Sequence, residues 1–375
     1  MRSPARPRRR FLRQALLSAG AAACSASSFG QSDESTQIVD QDLAAAMAKA
    51  ELSLQFRGGT VDECRAWQNM FQSKLHDLMG HSTPPARWTI VEEGQTEFDD
   101  YTRSELLLTA DGVPSSPVYL LVPKGLPPGK KVPAVLCVHG HGPLGNDAVV
   151  GRREQEGAGE HIDQLNYDYG VQFVKRGYVV AAPCMIPFGR RVNSAAYRGK
   201  DPCAVTFVRM QALGQLPITA NVRDLRWSID LLQSRPEVSD NTIGCAGLSY
   251  GGRMTMMVSA IDKRIRVAAV SGALNLLQER MTARHSCGSQ IVPGLLRYGD
   301  YSEIGSLIAP RPCVWETGLN DSLIVPQWDD VFRNRLRRVY QAMNAGSNLH
   351  FDRFEGGHEW SGRTAFPLFD EVLKS

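Results

Sequence analysis

Residues 242–254 read Thr-Ile-Gly-Cys-Ala-Gly-Leu-Ser-Tyr-Gly-Gly-Arg-Met, and this segment is the strongest indication of the fold class. An apolar, strand-like run passes into a helical run through the pattern Gly-x-Ser-x-Gly, which is centred on Ser249. In that setting the pattern predicts a tight strand–turn–helix connection that strains the backbone of the serine and presents its hydroxyl above a sheet. Gly247 and Gly251 permit the close backbone approach that side chains would block. Ser249 is therefore the candidate nucleophile, with a serine in an ordinary glycine-rich turn as the alternative.

On both sides of this turn, short apolar strands alternate with helices. Strands are predicted at residues 132–138, 178–182, 242–246, 265–270, 312–316 and 350–354, and helices at 221–232, 251–260 and 327–343. Residues 88–93 and 103–109 alternate in polarity as half-buried strands do, and a further strand is predicted at 118–122. Continuous apolar strands between helices predict an α/β fold, with a mostly parallel central sheet, helices on both faces and antiparallel strands at one edge.

Composition divides the chain into three regions. Residues 1–30 are followed by a linker and a small N-terminal helical extension at residues 31–87, in which Asp62 is expected to cap the second helix. Residues 88–375 form the expected α/β domain. Two long insertions, 187–217 and 275–310, follow strands of that domain. Because open α/β sheets bind ligands at the carboxyl ends of their strands, we expect both insertions to act as lids or binding loops.

The first 30 residues carry six arginines and neither Asp nor Glu. The whole chain has 42 Lys+Arg against 39 Asp+Glu and a net charge of +3, so subtracting those six charges leaves −3 and argues against a nucleic-acid partner. Residues 8–13, Arg-Arg-Arg-Phe-Leu-Arg, precede a short apolar run and resemble a twin-arginine signal peptide. We therefore expect an exported, periplasmic or secreted protein without a stable membrane span, since the apolar run is too short to cross a bilayer. A disordered basic tail and a lipid anchor at Cys24 are the alternatives.

The eight cysteines contain no Cys-x-x-Cys spacing typical of zinc or redox sites. Cys137, Cys245 and Cys313 lie in apolar strand-like runs and are expected to be small buried side chains. Cys184 and Cys203 flank a loop-rich segment and could pair in an oxidising compartment. The sequence leaves that pairing open.

A serine hydroxyl needs a base to take its proton, and the base needs a carboxylate to orient it. Where a Gly-x-Ser-x-Gly turn supplies the nucleophile, the order along the chain is serine, acid, histidine. His358 lies in a glycine-flanked loop after the last predicted strand and is the candidate base. Asp321, in the loop after the strand at 312–316, is the preferred acid, and Glu316 at the end of that strand is the runner-up.

Backbone N–H groups are expected to hold the negative charge that develops on an attacked carbonyl oxygen. One donor is Tyr250, which follows the nucleophile, and the second is His141, in the loop after the strand at 132–138. His139 and His141 with His161 or Asp163 form an alternative metal site, but no zinc spacing supports it. The pair His358-Glu359 begins like H-E-x-x-H, but glycine stands where the second histidine would be. We therefore expect no metal and no cofactor.

These motifs resemble those of the α/β-hydrolase superfamily, and within it the branch of dienelactone hydrolases and acetyl xylan esterases. The resemblance rests on residues 139–142 (His-Gly-His-Gly), 247–252 (Gly-Leu-Ser-Tyr-Gly-Gly), 320–321 (Asn-Asp, with Pro326 beyond) and 356–360 (Gly-Gly-His-Glu-Trp), and it covers about residues 88–375. It implies a serine esterase in which Ser249, Asp321 and His358 form the triad. Dienelactone hydrolase itself uses a cysteine, so the serine favours the esterases.

The resemblance implies a serine carboxylic-ester hydrolase that acts through an acyl-enzyme on small-molecule or carbohydrate esters, with extracellular acetylated polysaccharides as one class. Gly-x-Ser-Tyr-Gly-Gly is also similar to prolyl-oligopeptidase-type peptidases, although the sequence contains no blade-length repeat for their propeller domain. A peptidase and a non-catalytic binding protein of the same fold are therefore the alternatives. The natural ester and the oligomeric state stay open.

Overall fold

One nine-stranded sheet organises residues 39–283 and 286–375, the part of the chain that the computed structural model describes. The expected signal peptide and Cys24 lie outside these residues. The strands are β1 (Thr89–Glu97), β2 (Tyr101–Thr109), β3 (Ser116–Pro123), β4 (Val132–Val138), β5 (Val179–Pro183), β6 (Val238–Leu248), β7 (Ile265–Ser271), β8 (Cys313–Gly318) and β9 (Leu349–Phe354). Their spatial order is β1-β2-β3-β5-β4-β6-β7-β8-β9. The first three strands pair antiparallel and the other six pair in parallel, so the predicted α/β fold is confirmed.

Eleven helices lie in the part of the chain that the structure describes, and several of them cover the two faces of the sheet. They are α1 (Val39–Ala48), α2 (Val61–Met79), α3 (Ala158–Leu165), α4 (Tyr169–Val174), α5 (Pro202–Ala212), α6 (Pro217–Ser234), α7 (Tyr250–Ile261), α8 (Leu277–Ala283), α9 (Tyr301–Ser306), α10 (Pro326–Ala342) and α11 (Ala365–Leu373). Within this part of the chain, no helix combines the length and the apolar character needed to cross a bilayer.

The apolar runs of the parallel strands face two separate cores. In β4, Ala134 and Leu136 join a core that also contains side chains of α2, α6, α7 and α10. Val135 and Cys137, which point to the opposite face, join a second core with α4 and α11. Since successive side chains of a strand point to opposite faces, a strand buried on both sides must be apolar throughout. That requirement explains why the sequence pattern located these strands.

The N-terminal helix α2 begins with a cap that differs from the prediction. Thr60, not Asp62, is the N-cap: its hydroxyl accepts the Glu63 N–H at 3.3 Å, and the Glu63 carboxylate accepts the Thr60 N–H at 3.0 Å. This reciprocal arrangement satisfies two N–H groups that the first turn leaves free. Asp62 lies inside the first turn instead. The buried face of the helix, which includes Trp67 and Phe71, packs into the first core.

Strand order brings the predicted site residues to one edge of the sheet. β4 pairs with β6 up to the register partners Val138 and Gly247, so the loop after β4 lies beside the turn at Ser249. β8 pairs with β9 up to Gly318 and Phe354, which places the loops of Asp321 and His358 next to each other. The sheet therefore gathers at its carboxyl edge four loops that are distant in sequence.

Both insertions begin at that edge, after β5 and β7. Residues 187–217 contain the short helical turns Gly189–Arg191 and Ser194–Tyr197 and helix α5, and residues 275–310 contain α8, α9 and the turns Gly288–Gln290 and Leu295–Arg297. Helix α5 contacts Gly288–Gln290, so the two insertions meet.

Candidate active site

Ser249 occupies a strained turn between β6 and α7. Its φ is 65° and its ψ is −123°, a region that residues with a side chain rarely adopt. A Cβ on Gly251 would lie 1.9 Å from the carbonyl oxygen of Val138, and one on Gly247 would lie 2.6 Å from the same atom. Only glycine fits at both positions, which holds the turn against the end of β4. The N-terminus of α7 begins at the next residue and directs its positive dipole end toward this turn.

His358 and Asp321 are in direct contact. The Nδ1 atom of His358 lies 2.7 Å from Oδ2 of Asp321, whose other oxygen accepts the Leu323 N–H at 2.8 Å. The Nε2 atom of His358 is buried, and the described residues provide no hydrogen-bond partner for it. Gly272, at φ +59°, leaves room for the ring, because a Cβ there would approach Cε1 of His358 to 2.8 Å. The imidazole is thus oriented by a carboxylate on one side and has a free nitrogen on the other.

The two loops that carry this pair are joined to each other. The Leu319 N–H donates to the carbonyl of Phe354 and the Asn320 N–H donates to that of Gly356, both at 2.9 Å. A Cβ on Gly318 would lie 2.0 Å from the carbonyl oxygen of Gly357, so the backbones touch at this point. These backbone contacts set the distance between acid and base.

Glu316, the runner-up for the acid, lies elsewhere. Its carboxylate is fully buried within the sheet, and it accepts the Gly362 N–H at 3.0 Å. Burial, with a smaller effect from the neighbouring Asp352, raises the pKa of Glu316 to about 7. The structure therefore brings Asp321, rather than Glu316, to the histidine.

The loop after β4 passes close to the nucleophile. Gly140 donates its N–H to the hydroxyl of Tyr167 at 2.5 Å, and a Cβ on Gly140 would lie 3.3 Å from Cβ of Ser249. His141 and Tyr250 line one cavity together with Ser249 and His358. The two residues proposed as oxyanion donors are thus beside the serine.

The alternative metal site on the same loop is not assembled. His139 is fully buried, its Nε2 accepts the Met185 N–H at 2.8 Å, and burial lowers its pKa to about 4, which keeps it neutral. The ring of His161 packs on Tyr167, with 4.4 Å between centroids, and Asp163 binds Arg153 at 2.7 Å. Each of these side chains is engaged away from His141.

The cavity at Ser249 measures about 350 Å³. Its lining also includes polar and charged side chains of α7 and of the second insertion. They are Arg253 of α7 and Asn275, Arg280, Ser286, Cys287, Gln290 and Tyr301 of the insertion. Two arginines and no Asp or Glu occur among these lining residues. The cavity wall therefore contains two arginines and several other hydrogen-bonding groups.

Sequence reasoning missed Arg253 as a cavity residue. Its guanidinium is buried, lies 3.7 Å from the centroid of the Tyr301 ring and donates to the carbonyl of Asn275 at 3.2 Å. Burial lowers the pKa of Arg253 to about 10, so the side chain stays charged near neutral pH. The sequence feature that could have identified Arg253 is its position four residues after the nucleophile, one turn into the following helix.

Cys184 and Cys203 do not form a disulfide. Cys184 donates to the carbonyl of Phe188 at 3.3 Å, whereas the Sγ atom of Cys203 lies 3.1 Å from Nε2 of His141. The second insertion brings Cys287 to Cys203 and His141. The side chains near Cys203 thus differ from those that spacing along the chain suggested.

Comparison with known proteins agrees with this geometry. The model of the Abhydrolase family matches residues 21–327, most of the chain. The chain belongs to this family. The matched stretch includes Ser249 and Asp321 and ends before His358. The resemblance to α/β-hydrolases is thereby confirmed, and the prediction that the chain is a hydrolase is confirmed with it.

One curated relative and two solved structures extend the comparison. The protein named "Putative hydrolase YtaP" from Bacillus subtilis (strain 168) is 30% identical over 296 residues, which cover 76% of this chain and 92% of that protein. A Bacteroides fragilis NCTC 9343 structure described as "a putative acetyl xylan esterase" superposes with a TM-score of 0.70 at 18% identity, covering 84% of this chain and 82% of the other. A glucuronoyl esterase from Solibacter usitatus gives a TM-score of 0.60 at 14% identity, covering 83% and 93%. At these identities the two solved structures show a shared fold.

Proposed function

We propose that this α/β-hydrolase is a serine carboxylic-ester hydrolase that works through an acyl-enzyme. The observation that carries the proposal is the 2.7 Å contact between His358 and Asp321 at the cavity that also contains Ser249 in its strained turn. A carboxylate-oriented imidazole beside a presented serine hydroxyl is the arrangement that nucleophilic acyl transfer requires.

Each group has one role in the proposed reaction. The Oγ atom of Ser249 attacks the ester carbonyl carbon while Nε2 of His358 takes its proton, and Asp321 stabilises the imidazolium that forms. The backbone N–H groups of Tyr250 and His141 hold the negative oxygen of the tetrahedral intermediate. His358 returns the proton to the departing alcohol. Water, deprotonated by the same histidine, then attacks the acyl group and releases the acid and the serine.

We further propose a carbohydrate ester as substrate and an extracytoplasmic location. The cavity wall contains Asn275, Gln290 and two arginines, side chains that can donate hydrogen bonds to sugar hydroxyl groups. One solved structure of the same fold is described as "a putative acetyl xylan esterase" and another as a glucuronoyl esterase. The twin-arginine pattern at residues 8–13 supports export to the compartment where such polymers occur.

Hydrolysis of p-nitrophenyl acetate by the wild type, by Ser249→Ala and by Ser259→Ala tests this function. Ser259 is a buried serine of the same helix, α7, and serves as a control for the loss of a hydroxyl. We expect the wild type and Ser259→Ala to turn over the ester and Ser249→Ala to lose about 10⁴-fold or more in kcat. A fluorophosphonate should label the wild type and not Ser249→Ala.

Acetylated xylan and a peptide p-nitroanilide, assayed in parallel, decide between substrate classes. Release of acetate from xylan supports the carbohydrate ester. Cleavage of the anilide without ester hydrolysis would replace this proposal with a peptidase, and absence of labelling would replace it with a binding protein. Undiminished ester hydrolysis by Ser249→Ala would contradict the proposal that Ser249 is the nucleophile.

A further inference from the structure

Three nitrogen and sulfur ligand atoms converge beside the cavity at Ser249. They are Nε2 of His141, Sγ of Cys203 and Sγ of Cys287, and all lie within 4.8 Å of one another. His141 comes from the loop after β4, Cys203 from the first turn of α5 in the first insertion, and Cys287 from the second insertion. Three segments that are distant in sequence therefore place nitrogen and sulfur atoms at one point.

We propose that His141, Cys203 and Cys287 form a binding site for a soft divalent cation of the zinc type. Imidazole nitrogen and thiolate sulfur are the ligands that Zn²⁺ prefers. Zn–S bonds of about 2.3 Å and Zn–N bonds of about 2.0 Å place tetrahedral ligands less than about 4 Å apart. His141 and Cys203 already approach to 3.1 Å, so a shift of about 1 Å at most gathers all three atoms around a cation.

The surroundings hold each ligand in place. The carboxylate of Asp201 accepts the Cys203 N–H at 3.1 Å and the Ala204 N–H at 3.3 Å, which fixes the first turn of α5. The ring of Phe188 packs against that of His141, with 4.9 Å between centroids. The Ser289 N–H donates to Sγ of Cys287 at 3.4 Å, an interaction that stabilises a thiolate. These contacts reduce the conformational freedom that cation binding would otherwise have to remove.

The site would have one coordination position open to the cavity. Tetrahedral zinc takes four ligands, and three are supplied by this cluster. His141 and Cys287 both line the cavity that contains Ser249 and His358, so the fourth position faces that space. Binding of Zn²⁺ to two thiols releases two protons and joins the loop after β4 to both insertions. The His141 side chain serves this site, whereas its backbone N–H serves the proposed oxyanion site.

Co²⁺ is the probe for this site, because thiolate ligands give tetrahedral cobalt intense ligand-to-metal charge-transfer absorption. The full chain, purified with a reductant and freed of metal, is titrated with Co²⁺ and then with Zn²⁺. We expect one equivalent of Co²⁺ to bind with thiolate charge-transfer bands, and Zn²⁺ to displace it. This readout does not require esterase activity, so its result is independent of the proposed function.

Variants assign the ligands. Cys203→Ser and Cys287→Ser should each weaken Co²⁺ binding by more than about 100-fold, the upper end of what loss of an outer-shell partner costs. Cys287 is only partly buried, so its variant should keep the fold, which circular dichroism checks. The control is Cys184→Ser, a buried cysteine directly after β5 that donates to the carbonyl of Phe188 and should retain full binding.

Three results would overturn the site. The first is a wild type with free thiols and no Co²⁺ charge-transfer band. The second is a Cys203–Cys287 disulfide in the protein as isolated without reductant, found by peptide mass spectrometry together with absence of zinc. The third is equal loss of binding in Cys184→Ser, which would show that the effect is not local.

Discussion

Asp321 and Glu316 show how position, rather than residue type, decides which carboxylate reaches His358. Asp321 contacts the imidazole of His358 from a loop, at the carboxyl edge of the sheet. Glu316 lies within β8, where its register partners are Ser271 of β7 and Asp352 of β9. A side chain inside the sheet cannot follow the loop that carries the histidine. The acid of the proposed triad therefore comes from beyond the strand.

Asp321→Asn and Glu316→Gln test this assignment as a matched pair. We expect Asp321→Asn to lower kcat for p-nitrophenyl acetate by about 10⁴-fold, because an amide stabilises the wrong tautomer of the histidine and cannot balance the imidazolium. Glu316→Gln should stay within a few-fold of the wild type. Circular dichroism confirms that both variants fold. A near-normal rate in Asp321→Asn beside a large loss in Glu316→Gln would transfer the role to Glu316.

At the residue scale, the sequence identified the groups whose positions follow from a motif or from chain order. Ser249 is marked by its glycines, and His358 and Asp321 by their place after the last strands. Arg253 is marked only by its place one turn after the nucleophile, and Cys287 carries no mark, because its place at the cavity depends on how the second insertion folds. The second insertion brings Cys287 to the cavity through contacts between residues distant in sequence, which spacing along the chain does not encode.

At the element scale, burial on both faces made the central strands recognisable. The prediction for β4 is the observed Val132–Val138, and most other strands agree within two residues. β6 is longer than predicted, since Val238 pairs with Val132 before a register shift and the strand includes polar residues beyond it. Val238 and Ile243, on either side of these polar residues, both pair with β4, so polarity alone does not end the strand. The helices of the insertions were not predicted, because no apolar periodicity sets them apart.

The start of α2 gives a test at this scale. Thr60 exchanges hydrogen bonds with Glu63, whereas Asp62 only places a charge in the first turn. We expect Thr60→Ala to reduce the free energy of unfolding by about 1 kcal/mol and Asp62→Ala to reduce it by about 0.5 kcal/mol or less. Urea unfolding followed by circular dichroism measures both. A larger loss of unfolding free energy in Asp62→Ala than in Thr60→Ala would show that Asp62 is the N-cap.

At the scale of the whole molecule, two buried groups make stability depend on pH in opposite directions. Burial lowers the pKa of His139 from 6.5 to about 4. The contribution of His139 to the free energy of unfolding is therefore complete above pH 6.5 and is lost as the pH falls toward 4. Burial raises the pKa of Glu316 from 4.5 to about 7. The contribution of Glu316 to the free energy of unfolding is therefore complete below pH 4.5 and is lost as the pH rises toward 7. The stability of the wild type alone cannot separate the two.

Glu316→Gln separates them, because His139 is unchanged in the variant and cancels in the difference. Between pH 4.5 and 7 the folded wild type retains a proton on Glu316 that the unfolded chain has released. Linkage then makes the wild type lose up to about 1.4 kcal/mol per pH unit relative to the glutamine variant, or about 3 kcal/mol over the interval. Urea unfolding of both proteins from pH 4 to 8 measures this difference. A constant difference in unfolding free energy across that range would mean that Glu316 ionises equally in the folded and unfolded chain. That result would conflict with the burial of Glu316 on β8, between β7 and β9.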